Sequence, residues 1–172
     1  ALTQGLASRE QVKMAQMGED APEKKSRKKR FKESLSVLGC LMAEEEESQV
    51  AVIEFGGWDT HANQGQLTGS LAGRFEQLSA GLLAFKLAMG SAWTNTVVVV
   101  ASEFGRTVRG NGTGGTDHGT GGLSMLLGGA VAGGVVHADW PGLAERQLYQ
   151  GRDLMTTTDI RAVFKGILRD HM

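Results

Sequence analysis

Only one cysteine, Cys40, occurs in the 172 residues, so a disulfide framework within the chain is impossible. Its neighbours Val37, Leu38 and Leu41 are apolar, and a free thiol in such a run reads as a small buried hydrophobe rather than a nucleophile. Charge of one sign is missing too. The 18 Lys and Arg against 19 Asp and Glu leave a formal net charge of -1, with no overall pull toward nucleic acid or a membrane surface. No apolar stretch approaches the roughly 20 residues that span a bilayer, so a membrane-crossing helix is not expected. Neither an initiator methionine nor a signal peptide opens the chain, and Ala1-Leu2-Thr3-Gln4 reads as the start of a mature or trimmed piece. No Gly-x-Ser-x-Gly elbow surrounds Ser102 or Thr60, which disfavours a serine hydrolase, and no Gly-Lys-Ser/Thr closes a glycine run, which disfavours a nucleotide loop. Internal repeats are absent as well.

Glycine is in excess. There are 25, crowded between Phe55 and Gly134, and so many permissive positions mark a stretch where backbone approaches backbone or a ligand. Around it, apolar periodicity organises the chain. Ala1 to Gly18 reads as a short helix opened by Ser8 with Gln11 as capping partner. The basic run Lys24 to Arg30 lacks interleaved aromatics and is balanced by Glu44 to Glu47, so it reads as a solvated linker or helix start rather than a nucleic-acid site. Phe31, Leu35, Leu38 and Met42 then follow helical spacing. Gln49 to Phe55 reads as a strand, and Leu67, Leu71, Phe75, Leu78, Leu82, Phe85 and Met89 form the stripe of a long helix stopped by Gly90.

Thr96 to Ala101 is apolar without alternation, the pattern of a strand covered on both faces in a parallel sheet. Leu123 to Leu127 and Val135 to Ala138 are shorter strand candidates. A last helix carries Ile160, Val163, Phe164, Ile167 and Leu168 behind Thr157 or Thr158 as cap. Strands alternating with helices predict one α/β domain with a helix-covered, mostly parallel sheet, whose ligand sites lie at the carboxyl ends of the strands. The predicted division is a helical, charged segment over 1–30 and the domain proper over 31–172.

Three polar clusters fall at such strand ends. In Gly57-Trp58-Asp59-Thr60-His61-Ala62-Asn63-Gln64, a carboxylate and an imidazole two residues apart on a loop suit Zn²⁺ or a similar ion, or else a structural hydrogen bond. In Ser102-Glu103-Phe104-Gly105-Arg106-Thr107, Glu103 offers oxygen ligands or general-base chemistry. Arg106 there offers a planar fork for phosphate or sulfate, the bland alternative being a Glu103 to Arg106 ion pair. In Gly114 to Gly122, Asp117 and His118 sit among glycines with little bulk to pack, which disfavours a core role for this histidine. His137 and His171 have surface or cap roles and stay outside the site.

These blocks resemble the DUF1501 family, whose members carry GGWDTH, SEFGRT and GTDHG in this order. They stand here as Gly56 to His61, Ser102 to Thr107 and Gly115 to Gly119, followed by Gly133-Gly134, Asp139 to Leu143 and Gly151 to Leu154 with Thr157-Thr158-Asp159. The family is similar in plan to the alkaline phosphatase and sulfatase superfamily. That likeness implies a metal site of Asp59, His61 and His118, with Glu103 where the superfamily has the Asp of an Asp-His pair. Phe104 stands in place of that pair's histidine, so a second metal would lose a ligand, and the superfamily's aspartate-to-histidine spacing is longer than Asp59 to His61. The superfamily's nucleophile follows an early strand, and none is read before Gln49. The chain is therefore expected to match the carboxy-terminal portion of such a domain, or to carry a helical segment in place of the rest.

The expected function is metal-dependent hydrolysis of small phosphate or sulfate esters. A divalent ion, zinc first and manganese or calcium next, would sit on Asp59, His61, His118 and Glu103. Glu103 and Arg106 would be catalytic, and Asp117 would orient His118. The rival is a non-catalytic binding or scaffold protein. By resemblance alone, the protein is expected to be periplasmic or otherwise exported.

Overall fold

The structure, a computed structural model, describes residues 24–44 and 50–171. The helix expected over Ala1 to Gly18 lies outside them. The chain divides into two compact units, one holding helix α1 (Lys24–Glu44) and residues 77–90, the other holding residues 50–76 and those from Ser91 onward.

In the first unit α1 meets the second half of α2 (Ser70–Met89). Leu78, Phe85 and Met89 recur on one face of α2 and are buried, as is Leu35 of α1. The two backbones approach closely through glycine. A Cβ on Gly39 would lie 2.7 Å from the Ala88 Cβ, and one on Gly81 would lie 2.6 Å from both Phe31 and Leu35. Cys40, one residue round the helix from buried Gly39, is exposed, which corrects the expectation of a buried thiol. An apolar neighbourhood in sequence does not place a residue on the buried face, because each helical step rotates it by about 100°. The basic run forms the first turns of α1, a helix start as read. The helix α2 opens at Ser70, not near Leu67, which is 95% exposed; the Ser70 hydroxyl donates to the carbonyls of Asn63 (3.1 Å) and Gln64 (3.3 Å). Gly90, at φ +53, ends it as expected.

The second unit departs from the predicted architecture. Its strands form two short antiparallel pairs, not a mostly parallel sheet. Strand β1 (Val98–Val100) pairs with β4 (Met125–Leu127) in the register Val98↔Leu127, and β2 (Gly105–Arg106) pairs with β3 (His118–Gly119) in the register Arg106↔His118. The apolar run around β1 reported how much of the strand is covered and said nothing about the direction of its partner. The connection from β1 to β4 is itself folded into the β2–β3 hairpin, so the chain returns alongside β1 running the opposite way. Val50 to Phe55 joins no strand among the described residues, and Val52 is 88% exposed. Val135 to Ala138 likewise forms none. High β-propensity expresses a fit to a half-buried pleated surface, and without a neighbouring strand it builds nothing.

The last helix, α3 (Ile160–His171), is capped by Asp159 rather than by the threonines before it. Asp159 Oδ1 accepts the Arg161 backbone N–H at 2.9 Å, and its carboxylate takes the Arg161 guanidinium at 2.6–3.1 Å. The Arg161 side chain, then its backbone N–H, hold this carboxyl down at about 2, against an ordinary 3.8. A depressed folded-state value means that the cap is fully present above the ordinary value and is lost as the pH falls through about 2. Asp159→Ala is expected to fray the first turn at neutral pH, read as faster amide exchange at Ala162 and Val163. Helical chemical shifts of the two proteins should converge below that pH.

Candidate metal centre

The loop that follows Phe55 is pinned by aromatic packing. The Trp58 ring meets Phe55 edge-on at 5.6 Å and Phe75 at 5.0 Å, while the Arg74 guanidinium lies over Phe55 at 5.8 Å. Anchored at Trp58, the chain turns through Asp59 and His61 and then runs against the glycine-rich loop. Asn63 N–H donates to Thr113 O at 3.1 Å, Gln64 N–H to Gly114 O at 2.9 Å, and Thr116 N–H to Thr60 O at 3.2 Å. Gly115 makes this pairing possible, because any Cβ there would collide with the carbonyls of Thr60 and His61. A side-chain lattice lies beneath. Gln64 Oε1 accepts the hydroxyls of Thr60 (2.8 Å) and Thr116 (2.9 Å), and Arg106 Nε donates to Thr116 Oγ1 at 2.9 Å.

On this base three side chains converge, two from the loop after Phe55 and one from the hairpin strand β3. Single ligand atoms of Asp59, His61 and His118 all lie within 4.8 Å of one another, and all three residues are exposed. Asp59 Oδ1 is the hub, 2.9 Å from His118 Nε2 and 3.0 Å from His61 Nε2, and it also takes Arg106 Nη1. The other His61 nitrogen, Nδ1, lies 3.0 Å from Asp117 Oδ1. Phe104 stacks on His118 at 5.3 Å with 20° between the planes, and the Arg106 guanidinium lies over the Phe104 ring at 5.7 Å. The Phe104 ring thus packs flat against the neighbouring imidazole.

Electrostatics keep both carboxylates ionised. The Asp59 carboxyl lies below its ordinary 3.8, chiefly through the His118 hydrogen bond and then Arg106. Asp117 is lowered by Asn111 first and His61 second. Both therefore stay negative, and available to a cation, through the mildly acidic range. What these interactions lend to folding is held above the ordinary value and lost only below it.

Residues 4–172 match the family described as "Protein of unknown function (DUF1501)". The chain belongs to the DUF1501 family. No curated protein and no solved structure matches it, so the chemistry of this DUF1501 chain has to be read from its own residues.

The structure brings Asp59, His61, His118, Arg106 and Asp117 together. Glu103, exposed in the loop between β1 and β2, is not among the ligand atoms that converge. Asp117 contacts His61 rather than the adjacent His118, whose Nε2 meets Asp59 instead. Arg106 is more committed than expected. Its Nη1 pairs with Asp59, its Nε with the Thr116 hydroxyl and its Nη2 with the Thr116 carbonyl, so it braces the hub. Gln64 and Thr116 lie within the polar clusters of the sequence but had no role there, and Asn111 and Thr113 were not singled out; all four tie the loops together. Asn111-Gly112 is a recognisable turn dipeptide, yet nothing local reveals that its amide reaches residue 61.

Proposed function

We propose that Asp59, His61 and His118 of this DUF1501 protein hold a divalent cation, and that the site serves hydrolysis of a small phosphate or sulfate ester. The observation that supports this most is the setting of His61, with a carboxylate oxygen 3.0 Å from each ring nitrogen. A neutral imidazole carries one proton and satisfies only one of them. With that proton on the Asp117 side, Nε2 turns a lone pair toward Asp59 Oδ1, where His118 Nε2 also points. A cation among the three atoms relieves that repulsion, and the carboxylate–histidine–metal chain is the usual way such a ligand is oriented.

Two imidazoles and a carboxylate suit zinc best, with manganese or calcium as alternatives, and three protein ligands leave a coordination position open. When bound, such an ion supplies Lewis acidity toward an ester oxygen. The chain's own residues do the rest. Arg106 and Thr116 fix the hub, Phe104 holds the His118 ring, Asp117 holds the His61 ring, and Glu103 stands in the adjoining loop as a general base. Kinship with the alkaline phosphatase superfamily enters only through these residue types, because the sheets here are antiparallel. Export from the cytoplasm belongs to the same proposal. Among the described residues no helix is long and apolar enough to cross a membrane.

One observation favours a non-catalytic binding protein instead: the Arg106 fork is taken by Asp59 and Thr116 and is not spare for a substrate anion. Metal content and turnover separate the two. Zinc-loaded protein offered aryl phosphate, phosphodiester and aryl sulfate substrates is expected to hydrolyse at least one and to stop when chelator is added. Stoichiometric zinc without turnover selects the binding protein, and neither zinc nor turnover removes both.

A further inference from the structure

Asn111 lies outside the converging ligands, yet every polar atom of its amide is used. Its Nδ2 donates to the His61 carbonyl and to Asp117 Oδ1, both at 2.9 Å. Its Oδ1 accepts the backbone N–H groups of Thr113 and Gly115, both at 3.0 Å. The orientation of the amide follows from these partners. Turned over, it would set oxygen against two acceptors and NH₂ against two donors. The Thr113 hydroxyl adds a donor to the same His61 carbonyl at 2.7 Å. One side chain therefore fixes both the backbone of His61 and the carboxylate oxygen that faces its Nδ1.

We infer that Asn111 is a positioning residue that decides which nitrogen of His61 faces the cation. The inference rests on the metal centre proposed above and names the device that prepares its imidazole. With Asp117 Oδ1 held by Asn111, the His61 proton resides on Nδ1 and Nε2 is left as an electron pair aimed at the hub. Without Asn111, the Asp117 carboxylate keeps only its contact with His61 Nδ1, and the residue is otherwise tethered through its backbone, whose N–H donates to Thr107 Oγ1 at 3.1 Å and whose carbonyl accepts the Thr107 N–H at 2.9 Å. The carboxylate then leaves Nδ1, and the proton is free to move to Nε2, where it blocks the ligand position. The cost to metal affinity is that of an outer partner, about 10–100-fold.

The test reads the ring directly. In metal-free protein, at a pH where the imidazoles are neutral, ¹⁵N–¹H correlation of the His61 ring is expected to show Nδ1 protonated. Asn111→Ala removes the amide. Asn111→Asp keeps an oxygen for the Thr113 and Gly115 N–H groups, hence the loop, while removing the donor to Asp117. In both variants the proton should shift wholly or partly to Nε2, and in Asn111→Ala the Kd for zinc should rise about 10–100-fold. A wild-type ring protonated on Nε2, or a tautomer unmoved in both variants, overturns the role of Asn111. If the tautomer responds but zinc does not bind the wild type, Asn111 still positions His61 and it is the metal centre that falls.

Discussion

The double variant His61→Ala/His118→Ala is expected to take up no more zinc than a buffer control, while unfolding close to the wild type. Both imidazoles are exposed, so the change to folding free energy should stay within about 0.5 kcal/mol. Binding is a different matter. Removing two of three ligands leaves a single carboxylate already shared with Arg106, and one exposed carboxylate does not hold zinc against water. Each single variant should lose more than the roughly 10–100-fold that an outer partner costs. Dialysis against zinc followed by elemental analysis reads the uptake, and thermal unfolding of the metal-free proteins reads the fold. Equal uptake by the wild type and the double variant would place any bound metal elsewhere.

Gly115→Val is expected to act the other way round, with every ligand present and the centre lost. A Cβ at this position meets backbone atoms of Thr60 and His61, which cannot rotate aside, so the two loops must part. Parting them breaks the pairing of Asn63, Gln64 and Thr116 across the loops and separates His61 from Asp117. The strain should cost about 1–3 kcal/mol in urea unfolding, and zinc uptake should fall to the level of the double histidine variant. Gly112→Ala, three residues away in the same loop, is the control. Nothing lies within 4 Å of a Cβ there, so stability should stay within about 0.5 kcal/mol and zinc binding should be unchanged.

The residues of this centre were more legible in the sequence than the sheet that carries them. Asp59, His61, Arg106, Asp117 and His118 could be picked out because they sit in glycine-rich loops where side chains have little to pack against. The fold does gather them. Glu103 looked equivalent by the same criterion and does not join, since exposure of a loop carboxylate fixes no direction. Helices were legible where one face is buried, as in α2 from Leu71 to Met89, and less so at their ends. There a single side chain decides, Asp159 for α3 and Ser70 for α2. Strand pairing was misread because apolar runs such as Thr96 to Ala101 encode coverage, whereas direction and partner depend on contacts far along the chain. The same limit hid Asn111, whose partners are His61 and Asp117.

X-ray absorption at the zinc edge of the loaded wild-type protein, compared with His118→Ala, bears most directly on the central claim. Two imidazole nitrogens and a carboxylate oxygen near 2.0–2.2 Å are predicted for the wild type, falling to one imidazole or to no bound zinc in the variant. A wild-type spectrum without histidine scattering, or one that His118→Ala leaves unchanged, would contradict it.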